Sequence, residues 1–131
     1  MSLMTHEALN GPDVPRALGP YSPAIKAGPL VFVSAQAGVD PRTEKVPSGG
    51  FEAECRQAFG NVALVLQAAG LGLCDVVKIT VLYIDLEYLP IINAVYADLF
   101  PVNPPARTAA IVSLAGNRRI AVDAIAMAAT N

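Results

Sequence analysis

The sequence predicts a single α+β domain, in which two helices pack on one face of a sheet. Three observations support this class. The strand and helix patterns follow the order β-β-α-β-α-β-β. The length of 131 residues suits one domain of about 100–200 residues. Each helical segment also carries one apolar stripe, and a helix of this kind must cover something apolar.

The domain is predicted to begin near residue 17. Residues 1–16 are rich in Pro, Gly and Asn and have no hydrophobic period, so we interpret them as a flexible N-terminus. Within them, Met1-Ser2-Leu3 before Met4 is typical of an expression scar. Residues 17–131 then form the single domain.

The first two strands are predicted at Tyr21–Gly28 and Leu30–Gln36. Pro23 interrupts the first, which indicates an edge or bent strand because proline cannot donate to a sheet. The second is rich in β-branched residues. Residues 37–50 carry turn formers throughout and are interpreted as a loop.

The first helix is predicted over residues 51–69. Acidic Glu52 and Glu54 lie in its first turn, where the helix dipole favours them, and Gly70 suits its C-terminal end. Gly60 within the helix suggests that something packs closely there. The apolar stripe consists of Cys55, Phe59, Val62, Leu66 and Ala69.

The central strand is predicted at Asp75–Ile84, because both of its faces are largely apolar. Asp85 can cap a second helix that runs to about Phe100, in which Pro90 must either lie in the first turn or break the helix. The inward stripe of that helix consists of Ile92, Val95, Tyr96 and Leu99.

The last two strands are predicted at 106–114 and 119–129, joined as a hairpin through Ala-Gly-Asn-Arg. With both helices on one face, the other face of the sheet is apolar and uncovered. The sequence therefore predicts self-association.

Composition supports self-association and excludes other classes. Hydrophobic residues make up 53% and charged residues 15%, the net charge is −2 and the mean hydropathy is +0.45. Such a chain is not disordered, nor is it a polyanion binder that relies on bulk charge. The longest uncharged run, Gln57–Cys74, has a polar stripe and a pair of glycines, so it predicts a core helix rather than a membrane span.

Metal, nucleotide and hydrolase signatures are missing from the sequence. Cys55 and Cys74 lack metal or redox spacing and are expected to be buried, reduced thiols in a cytoplasmic protein. The single histidine, His6, lies in the N-terminal segment, which disfavours a Ser-His or Cys-His site. We therefore expect no metal and no cofactor.

Arg107 is the most informative charged residue. It begins a strand that otherwise contains Ala, Ile, Val, Thr and Ser, where an unpaired charge is costly. A guanidinium makes a two-pronged match to a carboxylate. The residues alone leave two alternatives open: a ligand carboxylate, or a structural ion pair, for instance with Asp123.

Several short patterns follow one another along residues 17–128. Together they resemble the RidA (YjgF/YER057c/UK114) family, also called the endoribonuclease L-PSP family. The patterns are Gly19-Pro20-Tyr21-Ser22, Val33-Ser34-Ala35-Gln36, Ala68-Ala69-Gly70-Leu71, Asp75-Val76-Val77-Lys78, Asp85-Leu86, Asn93-Ala94-Val95-Tyr96 with Phe100, Pro105-Ala106-Arg107-Thr108 and Ala124-Ile125-Ala126.

The resemblance implies a chorismate-mutase-like fold that assembles as a homotrimer around a central, barrel-like core. It implies ligand sites in the clefts between subunits. It also implies hydrolysis of reactive 2-imino or 2-enamino acids to 2-keto acids and ammonia, with no cofactor. The alternatives are a non-catalytic binder of small carboxylates and, third, an endoribonuclease or translation inhibitor.

The resemblance also implies roles for particular residues. Arg107, Tyr21 and Ser34 match the catalytic positions, with Arg107 on the substrate carboxylate, and the further substrate-binding positions match Ala35, Asn93, Ala109 and Asp123. Two positions depart from the family pattern. Ala109 stands where Cys is frequent, and Ala121 stands where many deaminating members carry Glu. Asp123, on the same side of the strand, is a possible but shorter substitute.

Overall fold

A computed structural model describes residues 5–129, which form one six-stranded sheet with two helices. The predicted α+β class is confirmed. Met1–Leu3, interpreted above as a scar, lies outside the described residues. The elements are β1 (His6–Leu9), β2 (Ala24–Ala27), β3 (Leu30–Ala37), α1 (Gly50–Gln67), β4 (Val76–Tyr83), α2 (Leu89–Leu99), β5 (Ala106–Ile111) and β6 (Ile120–Met127), with short 3-10 turns at Leu73–Asp75 and Leu86–Tyr88.

The strands lie in the order β1-β2-β3-β6-β4-β5. The β4 and β5 strands are parallel, and every other neighbouring pair is antiparallel. The parallel pair follows from its connection, because a strand that returns through a helix runs in the same direction as its predecessor.

The predicted hairpin between the last two strands is wrong. β5 lies beside β4 at the edge of the sheet, and β6 lies between β3 and β4. The connection over 112–119 therefore crosses the end of β4 instead of closing a tight turn. Turn residues such as Gly116 and Asn117 mark the reversal but carry no information about which strand lies beside the returning chain.

The N-terminal segment contains a strand that the sequence analysis did not assign. His6–Leu9 pairs antiparallel with β2 in regular register, from His6 opposite Ala27 to Leu9 opposite Ala24. β2 is consequently an inner strand, and Pro23 lies just before it rather than within it. The prediction of an edge strand there is corrected, because a four-residue pairing partner is too short to show a hydrophobic period.

The hydrophobic core lies between the two helices and one face of the sheet. The buried stripes agree with the predicted ones, except that Ala69 follows the end of α1 and is, like Leu99, only partly buried. Phe59 of α1 contacts two α2-side aromatic rings edge-on, those of Tyr96 and Phe100, with centroids 6.1 Å apart in each pair. None of the helices between residues 5 and 129 is long and apolar enough to span a bilayer.

Several local expectations need correction. Asp85 caps the 3-10 turn before α2 through the Glu87 amide, and Pro90 then stands in the first turn of α2. Cys55 is buried but Cys74 is exposed, since it lies in the turn before β4. A methyl group at Gly60 would meet nothing within 4 Å, so no close approach explains this glycine.

The face of the sheet opposite the helices is uncovered in the single chain. Phe32 and Met127 are 41% and 44% exposed on it, and their neighbours Ile25 and Ile125 are only partly buried. Exposed apolar patches of this kind mark interaction surfaces. The predicted uncovered face is therefore present.

Candidate functional site

The first group of predicted site residues lies where the chain enters β2 and β3. The hydroxyl of Tyr21, in the loop before β2, accepts a hydrogen bond from the Leu18 amide at 3.4 Å. The Ser34 hydroxyl donates to the Ser22 carbonyl oxygen at 2.7 Å, and the Ser34 amide donates to the Pro23 carbonyl oxygen at 2.9 Å. These bonds hold the Tyr21 loop against β3.

A β-bulge presents Ser34 and Ala35. The pairing of β3 with β6 is regular up to Val33 and resumes at Gln36. Between them, Ser34 and Ala35 lie opposite the single residue Asp123, and a bulge of this kind bends the strand and redirects its side chains. Four predicted site residues, Tyr21 included, therefore belong to one region of the chain.

A cavity of about 320 Å³ opens beside this region. Its size is at the lower end of the range for small-molecule sites. It lies between the segment before β2, the end of β3 with the loop that follows, and the connection between β5 and β6. Its lining residues are Pro15, Arg16, Ala17, Leu18, Tyr21, Ala35, Gln36, Ala37, Val39, Pro41, Glu44, Asn61 and Arg118.

Arg107 lies at the other side of the sheet, on the exposed edge strand β5. Its guanidinium carbon lies 4.9 Å from the centroid of the Tyr96 ring, a cation–π contact. The Tyr96 hydroxyl donates to the Pro105 carbonyl oxygen at 2.9 Å, which fixes the ring. Burial raises the pKa of Tyr96, and the nearby Arg107 charge opposes this shift.

Asn93 and Ala109 accompany Arg107. Asn93 lies on α2 one turn before Tyr96, so it lies on the same side of that helix. Ala109 lies two residues after Arg107 in β5, hence on the same side of the strand. Both are exposed. The predicted binding residues thus form a second group around Arg107.

Asp123 is not the ion partner of Arg107. Arg107 pairs in register with Ile79, whose side chain is buried beneath the helices. Asp123 pairs with Thr80, the next residue of β4, and therefore points to the opposite face of the sheet. No carboxylate among residues 5–129 forms an ion pair with Arg107. The structural ion pair that the residues left open is therefore excluded within the described chain.

The two groups do not meet within one chain. β3, which carries Ser34, and β5, which carries Arg107, are separated by β6 and β4. Three strand spacings amount to about 14 Å, more than one small ligand can bridge with hydrogen bonds at both ends. A site that uses both groups needs a second copy of the chain.

A buried ion pair fixes the start of β6 to the first turns of α1. The fully buried Glu54 carboxylate accepts from the Arg119 amide at 2.7 Å and from Arg119 Nε at 2.6 Å. The Arg119 guanidinium also lies 5.7 Å from the centroids of Phe51 and Tyr88, whose rings stack 4.0 Å apart. Hydrogen bonding to Glu54 raises the pKa of Arg119 despite partial burial.

Comparison with known proteins identifies the family. The model of the family described as Endoribonuclease L-PSP matches residues 12–129. The chain belongs to this family. Human 2-iminobutanoate/2-iminopropanoate deaminase is 35% identical over 128 residues, 97% of this chain and 93% of the human protein. A RutC family protein of Pyrococcus horikoshii is 40% identical over 115 residues, 87% of this chain and 91% of that protein.

Solved structures of the L-PSP family have the same fold. The crystal structure of Escherichia coli TdcF with bound serine matches with a TM-score of 0.86 and 31% identity, over 94% of this chain and 99% of TdcF. The resemblance recognised from the sequence is thereby confirmed at the level of family and fold.

The sequence analysis did not name most of the cavity-lining residues as site candidates, among them Arg118 and Gln36. Arg118 was named only as the last residue of the predicted Ala-Gly-Asn-Arg turn, and Gln36 only as the end of the second predicted strand and of one family pattern. The available signal was the alternation of Arg118 and Arg119, because neighbouring residues entering a strand face opposite ways. Arg119 joins Glu54, and Arg118 lines the cavity of this L-PSP family member.

Proposed function

We propose that this protein hydrolyses reactive 2-imino and 2-enamino acids to 2-keto acids and ammonia in the cytoplasm. The reaction adds water across the C=N bond, so that C2 gains oxygen and nitrogen leaves as ammonia. Relatives named 2-iminobutanoate/2-iminopropanoate deaminase support this assignment over most of the chain. It needs no cofactor.

The observation that carries the proposal is the unpaired guanidinium of Arg107 on an exposed edge strand. Its side chain is held over the Tyr96 ring, and no ion pair within the described residues competes for it. A planar guanidinium binds a carboxylate through two parallel hydrogen bonds. The 2-imino acid would therefore bind by its carboxylate, which fixes the position of the C=N bond.

The complete site is proposed to lie between two subunits of a homotrimer. The Arg107 group and the Tyr21, Ser34 group are too far apart in one chain, whereas an uncovered apolar sheet face offers a surface for a second copy. One subunit would supply Arg107, Asn93 and Ala109. Its neighbour would supply the bulge and Tyr21.

The reaction requires that the protein orient the imine and a water molecule, and it depends less on a strong acid or base in the site. A protonated imine is already electrophilic, so fixing it beside a water molecule supplies a large part of the rate increase. The Ser34 hydroxyl oxygen, which donates its proton to the Ser22 carbonyl, has lone pairs left to accept from the ligand nitrogen. Asp123, which lies opposite the bulge and points to the open sheet face, would orient the attacking water.

A second candidate is a non-catalytic binder of keto acids at the same site. The observation that favours it is Ala121, a small buried residue at the position where many deaminating members carry Glu. An acid or base residue contributes typically about 10²–10⁴-fold. An endoribonuclease is disfavoured by a net charge of −2.

The decisive experiment measures ammonia release when 2-aminoacrylate is generated in situ, with purified wild-type protein and variants. Arg107→Ala should remove the acceleration, and Arg107→Lys should retain only part of it because the two-pronged match is lost. Arg42→Ala is the matched control, since Arg42 is exposed and, among the described residues, pairs only with Asp40. Ammonia release by wild type that equals the uncatalysed rate would leave the binder as the function.

A further inference from the structure

We infer that this site accepts 2-imino acids that carry a second carboxylate, and that Arg118 binds this distal group. The inference rests on the proposed function and specifies its substrate class. It concerns the cavity beside Tyr21 and Ala35 of one subunit, into which a ligand held by its first carboxylate at Arg107 of the partner subunit would extend.

The first observation is that Arg118 has no charged partner in the part of the chain that the structure describes. Arg107 and Arg118 are the two arginines that form no ion pair with a carboxylate among residues 5–129. Arg118 is partly buried and lines the cavity together with Tyr21 and Ala35. A partly desolvated guanidinium without a counter-charge favours an anionic ligand.

The second observation is the net charge of the cavity. Besides Arg118, its lining within residues 5–129 contains one further cation and one acid, Arg16 and Glu44. These two neutralise each other through an ion pair of 3.2 Å at the exposed side. The remaining charge is the single positive charge of Arg118, so a second carboxylate would find one compensating partner there.

The third observation is that the backbone on both sides of Arg118 is fixed before any ligand arrives. Its neighbour Arg119 is bound through both its backbone amide and its side chain to the fully buried Glu54. On its other side, Gly116 adopts φ +70°, a conformation that favours glycine and tightens the turn. The Arg118 backbone therefore needs no ordering when a ligand binds, and only its side chain has to be fixed.

The size of the cavity agrees with a longer ligand. A volume of about 320 Å³ exceeds what a short aliphatic imino acid fills, and the remainder would hold water. Gln36 adds a polar side chain to a lining that is otherwise mainly Pro, Ala, Leu and Val, whereas the Asn61 amide nitrogen is already bound to the Ala37 and Val39 carbonyl oxygens. A ligand with a polar far end suits this distribution better than one with an apolar far end.

The test compares two 2-keto acids of equal carbon-chain length. Each is the stable product expected from the corresponding 2-imino acid. 2-Ketoglutarate has the distal carboxylate and 2-ketopentanoate lacks it, and calorimetric titration gives both affinities. We expect wild type to bind 2-ketoglutarate with an affinity about tenfold or more above that for 2-ketopentanoate. The reason is that a hydrogen bond between charged groups is stronger than one between neutral groups. Arg118→Ala should abolish the preference, Arg118→Lys should retain part of it, and Arg42→Ala should retain all of it.

The outcomes separate this inference from the proposed function. Wild type that releases ammonia from 2-aminoacrylate yet binds both keto acids equally overturns the inference alone. So does a preference that survives in Arg118→Ala. Wild type that releases no ammonia but shows a preference dependent on Arg118 supports the inference for a binding protein and overturns the deaminase. Absence of binding by both keto acids overturns the inference.

Discussion

Glu54 is a fully buried carboxylate that has one charged partner within residues 5–129, Arg119. The two residues are not equivalent, because the Arg119 side chain is 31% exposed and can reach water whereas Glu54 cannot. Arg119→Ala should therefore destabilise the protein by about 3–5 kcal/mol, as expected when a buried charge loses its partner. Glu54→Gln should cost less, because the freed guanidinium can turn to solvent.

Urea unfolding at one fixed protein concentration measures both changes. Glu52→Gln is a suitable control, since Glu52 is exposed and pairs with exposed Arg56 on the same helix. An Arg119→Ala protein as stable as Glu54→Gln would show that Glu54 is compensated by something other than Arg119.

The two cysteines should differ sharply in reactivity. Burial raises the pKa of Cys55 to about 12, whereas Cys74 is exposed. At pH 8 an aromatic disulfide reagent should modify one thiol rapidly in the native protein and two after denaturation. Cys74→Ser should leave no rapidly reacting thiol, and rapid reaction of that variant would contradict the assignment.

The same shift has a consequence for stability. In the unfolded chain the thiol of Cys55 has a pKa of about 8.5. Because the pKa is raised in the folded protein, the stabilising effect of the buried, protonated thiol is fully present at pH values below the unfolded pKa. It is lost as the pH rises from there towards 12. Cys55→Ala should flatten this alkaline part of the stability profile, measured by thermal unfolding between pH 8 and 11.

Two glycines at α1, Gly38 beside it and Gly60 within it, differ in the room they leave for a side chain. A side chain at Gly38, which follows β3, would overlap the carbonyl oxygen of Glu54 in α1, whereas at Gly60 it would meet open space. Gly38→Ala should therefore force α1 away from β3 and destabilise the protein strongly. Gly60→Ala should stabilise by about 0.5–1 kcal/mol, because it removes backbone freedom from the unfolded chain.

Thermal unfolding of the two glycine variants gives the comparison directly. Asn61 offers an independent check of the contact between α1 and the end of β3. Its side-chain amide donates to the carbonyl oxygens of Ala37 and Val39 at 3.0 and 2.8 Å. Asn61→Leu should resemble Gly38→Ala in sign. A Gly38→Ala protein as stable as wild type would show that α1 is not held by this approach.

The whole molecule is expected to be a homotrimer assembled through the open face of the sheet. Sedimentation equilibrium should give three times the 13.6 kDa of one chain. Phe32→Glu, which places a charge on that face, should yield folded monomers or an unstable chain. Leu86→Glu is the matched control, since Leu86 is 62% exposed in the turn before α2. A wild-type monomer would contradict the prediction.

Much of the fold could be predicted from the sequence because the signals are local. The stripes of α1 and α2 and the apolar run of β4 each follow from a few neighbouring residues, and the structure confirms them. Arg107 could likewise be singled out, since a lone charge in an apolar strand is visible in the sequence itself. These features depend on period and composition, which the chain carries before it folds.

Only the tertiary structure decided which strands lie side by side. β6 lies between β3 and β4, and β1 pairs with the edge of β2. The bulge at Ser34 and Ala35 exists only because β6 pairs with β3 on both sides of it. The position of Arg118 in the cavity could not be predicted for the same reason, since the cavity is formed by three segments distant in sequence. Pairing between distant segments is settled by the burial and backbone hydrogen bonds of the whole sheet, and no local pattern records that sum.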